Sequence, residues 1–178
     1  MQTLAEVASS HLKTLGPEIQ CLTQVLENNV VELSTHVHGN HVIQAILVSF
    51  RSSEKPSDAD IEGTEACSKV TQFIFDACMR KCKLIGMHKH GCCVMQRCLE
   101  KGALRQKLAL ADVIIENLAE LIEDPYGNYL VQNVLKLKSA QKNEMIFSAI
   151  AKDFVRLSQL KFSSNVLEKC LESENIGK

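Results

Sequence analysis

Four short segments of the chain share one arrangement of apolar and polar positions. They are HGNHVIQAIL, HGCCVMQRCL, YGNYLVQNVL and FSSNVLEKCL, and they align without gaps on a small residue at their second position. These aligned residues are Gly39, Gly91, Gly127 and Ser163. Apolar side chains recur three, seven and eight positions after each aligned residue, a spacing that puts them on one face of a helix. The pattern therefore predicts four motif helices, near residues 39–50, 91–102, 127–138 and 163–173.

The similarity continues upstream of each motif helix. Nine positions before the aligned residues stand Val30, Cys82, Leu118 and Phe154. Six positions before them stand Leu33, Ile85, Leu121 and Leu157. Longer stretches such as KVTQFIFDACMRK and RQKLALADVIIENL carry apolar residues every three or four positions and predict further helices. A unit of 36 residues cannot bury its apolar face alone, whereas stacked units bury one another, so the sequence predicts an all-α solenoid with nearest-neighbour contacts.

The spacing of the aligned residues also defines the expected boundaries. The last two intervals are 36 residues each and the first is 52. The additional 16 residues correspond to RSSEKPSDADIEGTEA, which is polar and acidic and holds the only Pro and Gly between Gly39 and Gly86. We therefore expect an inserted loop at 51–66, either a plain surface insertion or a binding element. An N-terminal helical segment over 1–29, a partial or degenerate repeat, is expected to precede four repeats over 30–178.

Composition narrows the function classes. The formal net charge is −1, which counts against an affinity that rests on a large basic surface. The chain has eight cysteines, but its start lacks the basic and apolar regions of a secretory signal. The longest uncharged stretch, 33–50, holds three histidines, an Asn, a Gln and a Gly, so it does not predict a membrane span. A reducing, cytoplasmic location is the expectation.

Each motif helix also carries three polar or reactive side chains, one, two and five positions after the aligned residue. We call each set a trio, and the four trios are Asn40, His41 and Gln44; Cys92, Cys93 and Gln96; Asn128, Tyr129 and Gln132; and Ser164, Asn165 and Glu168. The outer members lie one helical turn and about 6 Å apart. Solvated faces usually vary freely and favour Lys and Glu, whereas these outer pairs include no Lys or Arg. From the pattern alone, a solvated face and a surface that recognises a planar group with mixed donors and acceptors both remain open.

The segments and their spacing resemble the repeats of the Pumilio (PUF) family of RNA-binding proteins. The similarity extends from about Val30 to Leu171, and the HGCC motif and the insertion look most like fungal members. The resemblance implies a right-handed, armadillo-like solenoid of three-helix repeats whose concave face binds single-stranded RNA at one base per repeat. The N-terminal repeats would lie nearer the RNA 3′ end. The family pattern has eight repeats and four are legible, so the chain is expected to be a fragment or an incomplete gene model.

The resemblance gives each trio position a role. The first and third residues would contact the edge of a base: Asn40, Gln44, Cys92, Gln96, Asn128, Gln132, Ser164 and Glu168. The middle residues would stack between neighbouring bases: His41, Cys93, Tyr129 and Asn165. Cys93 departs from this pattern, because a thiol is a poorer stacking platform than the Arg or Tyr usual in that place.

Hydrogen-bond chemistry agrees with a code of one base for each trio. Paired amides satisfy the acceptor–donor–acceptor edge of uracil, so the two amide trios are expected to read U. Adenine offers one donor and one acceptor, which suits Gln96 beside the small Cys92. Guanine alone presents two adjacent donors, which the carboxylate of Glu168 can accept with help from Ser164. Read antiparallel, the trios spell 5′-GUAU-3′, part of a UGUA-type element.

The expected function is repression of translation and mRNA stability through such elements in mRNA 3′ untranslated regions. Single-stranded mRNA is the expected ligand, and deadenylation or translation-repression factors are expected on the convex face. One alternative is a helical-repeat scaffold that binds a peptide in its groove, although such a groove has no reason to carry these trios. Another is a nucleolar Pumilio-like protein of ribosome biogenesis, a class that usually has degraded trios and a basic surface.

Several His and Cys residues resemble metal ligands at first sight: His36, His38, His41, His88, His90, Cys92, Cys93 and Cys98. Their spacings match no structural zinc signature. Because His38 and His90 align with Tyr126 and Phe162, they are predicted to be packing residues. No phosphate-binding Gly loop or hydrolase motif is present, so neither a cofactor nor an enzymatic activity is expected.

Overall fold

The computed structural model describes residues 23–50 and 61–174, and all regular secondary structure in these two ranges is helical. A helical stretch over 23–27 comes first and is followed by eleven helices. They are α1 Val30–Thr35, α2 Gly39–Ser49, α3 Ile61–Arg80, α4 Cys82–Gly86, α5 Gly91–Lys101, α6 Leu104–Glu116, α7 Leu118–Leu121, α8 Gly127–Leu135, α9 Ala140–Ala151, α10 Phe154–Ser158 and α11 Ser163–Glu174. None of the helices in the described ranges is both long and apolar enough to cross a bilayer.

The four motif helices are α2, α5, α8 and α11, and each begins at its aligned Gly or Ser as the sequence predicts. Helix α8 is shorter than predicted, because it ends at Leu135 rather than near 138. The chain turns at Lys138, whose φ of 55° lies in the left-handed region. A residue in that conformation cannot continue a right-handed helix, and α9 begins two residues later.

The inserted segment is partly helical, which corrects the predicted loop over 51–66. Helix α3 begins at Ile61, so the last six residues of that segment belong to its first turns. Gly63 was read as a loop signal, but one Gly costs a helix only about 1 kcal/mol relative to Ala. The packing of the rest of this 20-residue helix outweighs that cost. Residues 51–60 and the predicted helical segment before residue 23 lie outside the described residues.

The helices form two layers that run in parallel along the array. In one layer the motif helices pack in chain order, α2 on α5, α5 on α8 and α8 on α11. In the other layer the long helices α3, α6 and α9 pack in the same order. Each short helix, α1, α4, α7 and α10, packs on the motif helix that follows it. The architecture is therefore an α-solenoid of three-helix repeats, as the sequence predicts.

Stacked neighbours supply the burial of the predicted core rows. The core rows are the apolar positions nine and six before and three, seven and eight after each aligned residue. In the two central repeats every one of them is buried, with Leu118 the most exposed at 6%. The clear exceptions are Val42 in the first motif helix and Phe154 and Leu171 in the last repeat, which are 51%, 45% and 58% exposed. These three occupy rows that are buried wherever a repeat has a described neighbour on both sides. Each repeat thus buries its apolar face against the neighbouring repeats and not within itself.

The aligned Gly lets each motif helix approach the short helix before it. A Cβ atom at Gly39, Gly91 or Gly127 would lie 2.9, 2.3 or 2.8 Å from the carbonyl oxygen six residues earlier, too close for any side chain carbon. The fourth repeat has Ser163 at this place, and its hydroxyl donates a hydrogen bond to the Leu157 carbonyl at 2.6 Å. A hydrogen bond therefore replaces the close backbone contact in that repeat.

Candidate nucleic-acid interface

The start of each motif helix is held by a side chain three positions before the aligned residue. We call His36, His88 and Asp124 the cap residues. His36 Nδ1 accepts hydrogen bonds from the backbone N–H groups of His38 and Gly39, both at 3.2 Å. Such bonds satisfy donors that the first turn of a helix cannot satisfy itself.

The other two cap residues make the same pair of contacts. His88 Nδ1 accepts from His90 at 3.2 Å and from Gly91 at 3.5 Å. The Asp124 carboxylate accepts from the N–H groups of Tyr126 at 2.8 Å and Gly127 at 2.7 Å. Leu160 stands at this position in the last repeat and has no polar atom to offer. The shorter bonds to Asp124 are those expected of a charged acceptor.

In the first amide trio, Asn40 fixes the orientation of Gln44. Asn40 is only 2% exposed, and its amide nitrogen donates to the carbonyls of His36 and Val37, both at 2.9 Å. Its Oδ1 accepts a hydrogen bond from Gln44 Nε2 at 2.9 Å. Because the Asn40 nitrogen is committed to the backbone, only its oxygen can face Gln44, and this identifies the Gln44 atom that approaches it as the nitrogen. The Gln44 carbonyl oxygen and second N–H remain for another partner.

The second amide trio repeats this geometry two repeats later. Asn128 is 1% exposed and donates to the Asp124 carbonyl at 2.8 Å, and Gln132 Nε2 donates to Asn128 Oδ1 at 3.0 Å. The sequence predicts that the Asn and the Gln of each amide trio both lie on the surface. The structure instead buries the Asn and leaves the Gln half-buried. A base edge that approaches this surface therefore meets the glutamines before it meets the asparagines.

The thiol trio is neutral and partly buried. Cys92 is 3% exposed, and its thiol donates to the Lys89 carbonyl at 3.4 Å. Burial, and then the neighbouring Cys93 thiol, raise the pKa of Cys92 to about 12, so it stays protonated at neutral pH. Cys93 is exposed and contacts the same carbonyl at 3.7 Å. Among the six cysteines whose side chains are described, Cys93 alone is exposed.

The acidic trio is the most open of the four. Ser164 is half-buried and donates to the Lys161 carbonyl at 3.2 Å. Glu168 is exposed, and the nearby cation Lys169 pairs instead with Glu172. Both trio residues lie in an open groove with Phe154, Leu167 and Leu171 on its apolar side. The carboxylate of Glu168 is therefore accessible to a ligand that donates two hydrogen bonds.

The middle residues of all four trios, His41, Cys93, Tyr129 and Asn165, are exposed. Tyr129, at 49%, presents half of its surface although it lies in a helix whose neighbouring residues are buried. These are positions from which a planar side chain can contact a base face. The stacking role itself stays a prediction.

A group of histidines lies where the first two repeats meet. The His36 and His38 rings are 5.9 Å apart, and the His88 and His90 rings are 5.7 Å apart. Partial desolvation lowers the pKa of His90, and Lys89, His88, His41 and His36 lower it further. No group of three potential metal ligands close enough to hold an ion occurs among the described residues.

The prediction that His38 is a packing residue is wrong. His38 is exposed, whereas its counterparts His90, Tyr126 and Phe162 are half-buried. The His38 ring packs on His36 instead of the core. The cap residues, by contrast, were not predicted. Their signal is visible in the sequence as His, His and Asp three positions before three aligned glycines, but it becomes a pattern only once the hydrogen bonds are known.

A model of the Pumilio-family RNA binding repeat matches the chain at residues 29–55, 81–115, 117–151 and 153–175. These matches cover most of the chain and coincide with the four structural repeats. The chain belongs to the Pumilio family. Helix α3, of which only the first six residues belong to the predicted insertion, occupies most of the gap between the first two matches.

Named relatives agree with this assignment. The chain is 38% identical over 154 residues to the Pumilio domain-containing protein C6G9.14 of Schizosaccharomyces pombe, covering 86% of this chain and 20% of that protein. It is 37% identical over 161 residues to Pumilio homology domain family member 4 of Saccharomyces cerevisiae, covering 88% of this chain and 16% of that protein. The chain thus spans about a fifth of the length of these curated relatives.

Solved structures share the fold. The Puf4 RNA binding domain bound to the HO endonuclease RNA 3′ UTR recognition sequence superposes with a TM-score of 0.74 at 34% identity, over 89% of this chain and 45% of that one. The RNA-binding domain of yeast Puf5p bound to SMX2 RNA superposes with a TM-score of 0.68 at 33% identity, over 83% of this chain and 37% of that one. The all-α Pumilio solenoid predicted from the sequence is therefore confirmed.

Proposed function

We propose that this chain binds single-stranded RNA in a sequence-specific manner, one base for each trio. The RNA-bound structures of its relatives support a nucleic-acid ligand. The observation that carries the proposal is the pair of amide trios, in which a buried Asn orients an accessible Gln by a hydrogen bond of 2.9 or 3.0 Å. A merely solvated surface has no use for a glutamine amide held in one orientation.

The amide trios read uracil. Each Gln has a carbonyl oxygen that accepts from uracil N3–H and an N–H that donates to a neighbouring uracil oxygen. The buried Asn prevents the amide from rotating by half a turn, which would exchange donor and acceptor. Direct contact of Asn40 or Asn128 with the base requires a shift of its side chain, since both are almost fully buried.

The remaining trios read a purine each. Gln96, beside the neutral thiol of Cys92, has the donor and acceptor that adenine needs. The exposed carboxylate of Glu168 accepts from guanine N1–H and N2–H₂, and the Ser164 hydroxyl assists. In the antiparallel orientation of the family the trios recognise 5′-GUAU-3′, and the longer protein recognises a UGUA-type element. His41, Cys93, Tyr129 and Asn165 stack between successive bases.

The biological role follows from this ligand. The protein binds 3′ untranslated regions of mRNA in the cytoplasm and represses translation and mRNA stability. Deadenylation or translation-repression factors bind the face formed by the long helices, which the RNA leaves free.

A selection from a random single-stranded RNA pool tests the proposal. We expect enrichment of GUAU or UGUA, and loss of affinity when the same bases are paired in a hairpin, because the base edges must be accessible. A matched variant is Gln132→Glu, which replaces the donating amide NH₂ by an accepting carboxylate oxygen without changing the size of the side chain. This variant should lose the preference for uracil at one position. Enrichment of no sequence, or equal binding to the hairpin, would refute the proposal and favour a peptide-binding scaffold.

A further inference from the structure

The cap residues are connected to the proposed RNA-reading side chains by short hydrogen-bonded paths. In the first repeat, the His36 ring holds the backbone of His38 and Gly39, and the His36 carbonyl accepts from Asn40. Asn40 in turn accepts from Gln44. The whole path from cap to reading amide occupies nine residues of one repeat.

The third repeat has the same path with a carboxylate at its start. Asp124 holds Tyr126 and Gly127 through its side chain and accepts from Asn128 through its carbonyl. Asn128 accepts from Gln132. The last repeat has Leu160 in place of a cap residue, and there Ser163 anchors the helix to Leu157 instead. The two kinds of cap differ in the charge of the acceptor, and in that an imidazole changes its protonation in a pH range where a carboxylate does not.

We propose that the cap residues are positioning residues for RNA recognition, and that the two histidine caps make the first two repeats loosen on acidification while the Asp124 repeat does not. The proposal rests on the proposed function for its biological meaning, but the loosening itself is a property of the RNA-free chain. It concerns the start of α2 and α5, where the trios are anchored.

The chemistry of imidazole accounts for the difference. Nδ1 accepts two backbone hydrogen bonds only when it carries no proton, so His36 and His88 must have their proton on Nε2. Protonation converts this acceptor into a donor that faces two other donors. It also places a positive charge at the positive end of a helix dipole. Both effects oppose the helix start.

The surroundings of the two caps offer protonated imidazole little compensation. His38 packs on His36, and Lys89, His88, His41 and His36 all act on His90, so the members of this histidine cluster are neutral or cationic. The described carboxylates on the helices packed around the caps include Glu32 on α1, Asp76 on α3, Glu100 on α5 and Glu120 on α7. Glu100 pairs with Arg97 and Glu120 with Lys83, and Asp76 accepts a hydrogen bond from Gln72. Protonation of the cluster therefore adds repulsion among its members.

Amide hydrogen exchange of the RNA-free chain is the direct test. Between pH 7.5 and pH 5.5, and after correction for the intrinsic pH dependence of exchange, the Gly39 and Gly91 amides should lose about fivefold in protection, the amount that loss of a helix cap implies. The Gly127 amide should lose none. Equal behaviour of all three glycines would overturn the proposal.

Substituting one type of cap residue for the other provides matched variants. His36→Asp and His88→Asp should remove the pH dependence at Gly39 and Gly91, and Asp124→His should introduce it at Gly127. His38→Gln removes an imidazole from the same cluster without removing a cap, so it should leave most of the pH dependence at Gly39 in place. If His38→Gln abolishes the effect, charge in the cluster and not the cap is responsible, and the proposal fails.

RNA binding then separates this proposal from the proposed function. A GUAU oligonucleotide should protect Gly39 and Gly91 more at pH 7.5 than at pH 5.5, and this difference should vanish in His36→Asp/His88→Asp. Absence of RNA binding together with the expected exchange pattern would refute the function and retain the caps as helix-positioning groups. RNA binding without the expected exchange pattern would refute the role of the caps and leave the proposed function standing.

Discussion

Exchanging the acidic trio for an amide trio should change the base that the last repeat prefers from G to U. The perturbation is Ser164→Asn with Glu168→Gln, which reproduces the pair found at Asn40 and Gln44. The backbone of the last repeat can accommodate it, because the Leu160 carbonyl occupies the position of the His36 carbonyl, which accepts from the Asn40 amide. The new Gln should then be oriented by the new Asn, as in the other two amide trios.

The expected magnitude follows from hydrogen bonds gained and lost. A carboxylate at position 168 faces two donors of guanine but two acceptor oxygens of uracil, and one well-formed bidentate contact discriminates by about 1–3 kcal/mol. Because Glu168 is exposed, solvent weakens the interaction of its carboxylate with the base. We therefore expect a discrimination in the lower half of that range. This corresponds to a change in relative affinity of about tenfold.

Competition between GUAU and UUAU oligonucleotides measures this change. The wild-type chain should prefer GUAU and the double variant UUAU, while a variant with Glu168→Gln alone should lose preference without acquiring a new one, since Ser164 cannot orient the amide. A wild-type chain without preference for GUAU, or a double variant that retains it, would show that Ser164 and Glu168 do not read guanine.

Three further predictions concern the stack, the thiols and the helix contact. Tyr129→Ala should weaken RNA binding by about 1–3 kcal/mol without changing the preferred bases, because stacking is tolerant of sequence; a changed preference in competition assays would contradict this. Iodoacetamide at pH 8 should modify Cys93 and not Cys92, whose buried thiol has a pKa of about 12 and is protonated below it; peptide mass spectrometry that finds Cys92 modified first would refute the assignment. Gly91→Ala should lower the free energy of unfolding in urea by about 1–3 kcal/mol, because its Cβ would lie 2.3 Å from the Ile85 carbonyl oxygen. Ser163→Ala should lower it by about 1 kcal/mol, because one hydrogen bond is lost.

The repeat register made most of the fold predictable. The start of every motif helix follows from the aligned Gly or Ser, because the close contact with the preceding short helix leaves no room for a Cβ at the three glycines and a hydrogen bond takes its place at Ser163. The end of α8 was not predictable, since it depends on the left-handed turn at Lys138, which no residue type signals. The start of α3 was missed because Gly63 has the same local signature in a loop and in a well-packed helix.

The helical geometry of the candidate trios was predictable, but the burial of their side chains was not. Helical spacing places Asn40 and Gln44 on one face, and that is where they lie. It does not reveal that the Asn amide turns inwards to the carbonyls of His36 and Val37. That choice depends on the turn before the helix, whose geometry the cap residue determines. The alignment with Tyr126 and Phe162 misjudged His38, which lies in the first described repeat and has no described repeat before it; His90, whose ring contacts His88 in the same way, is half-buried.

The hydrogen-bonded path from His36 to Gln44 is closed within its own repeat, and this locality has an evolutionary consequence. A mutation that changes one trio disturbs no described hydrogen bond of the next repeat, so the trios can change one at a time while the array stays folded. A change of cap from His to Asp likewise replaces hydrogen bonds of one repeat only. Trios and caps can therefore change in separate mutational steps in descendants of this chain, while the stacked core stays intact.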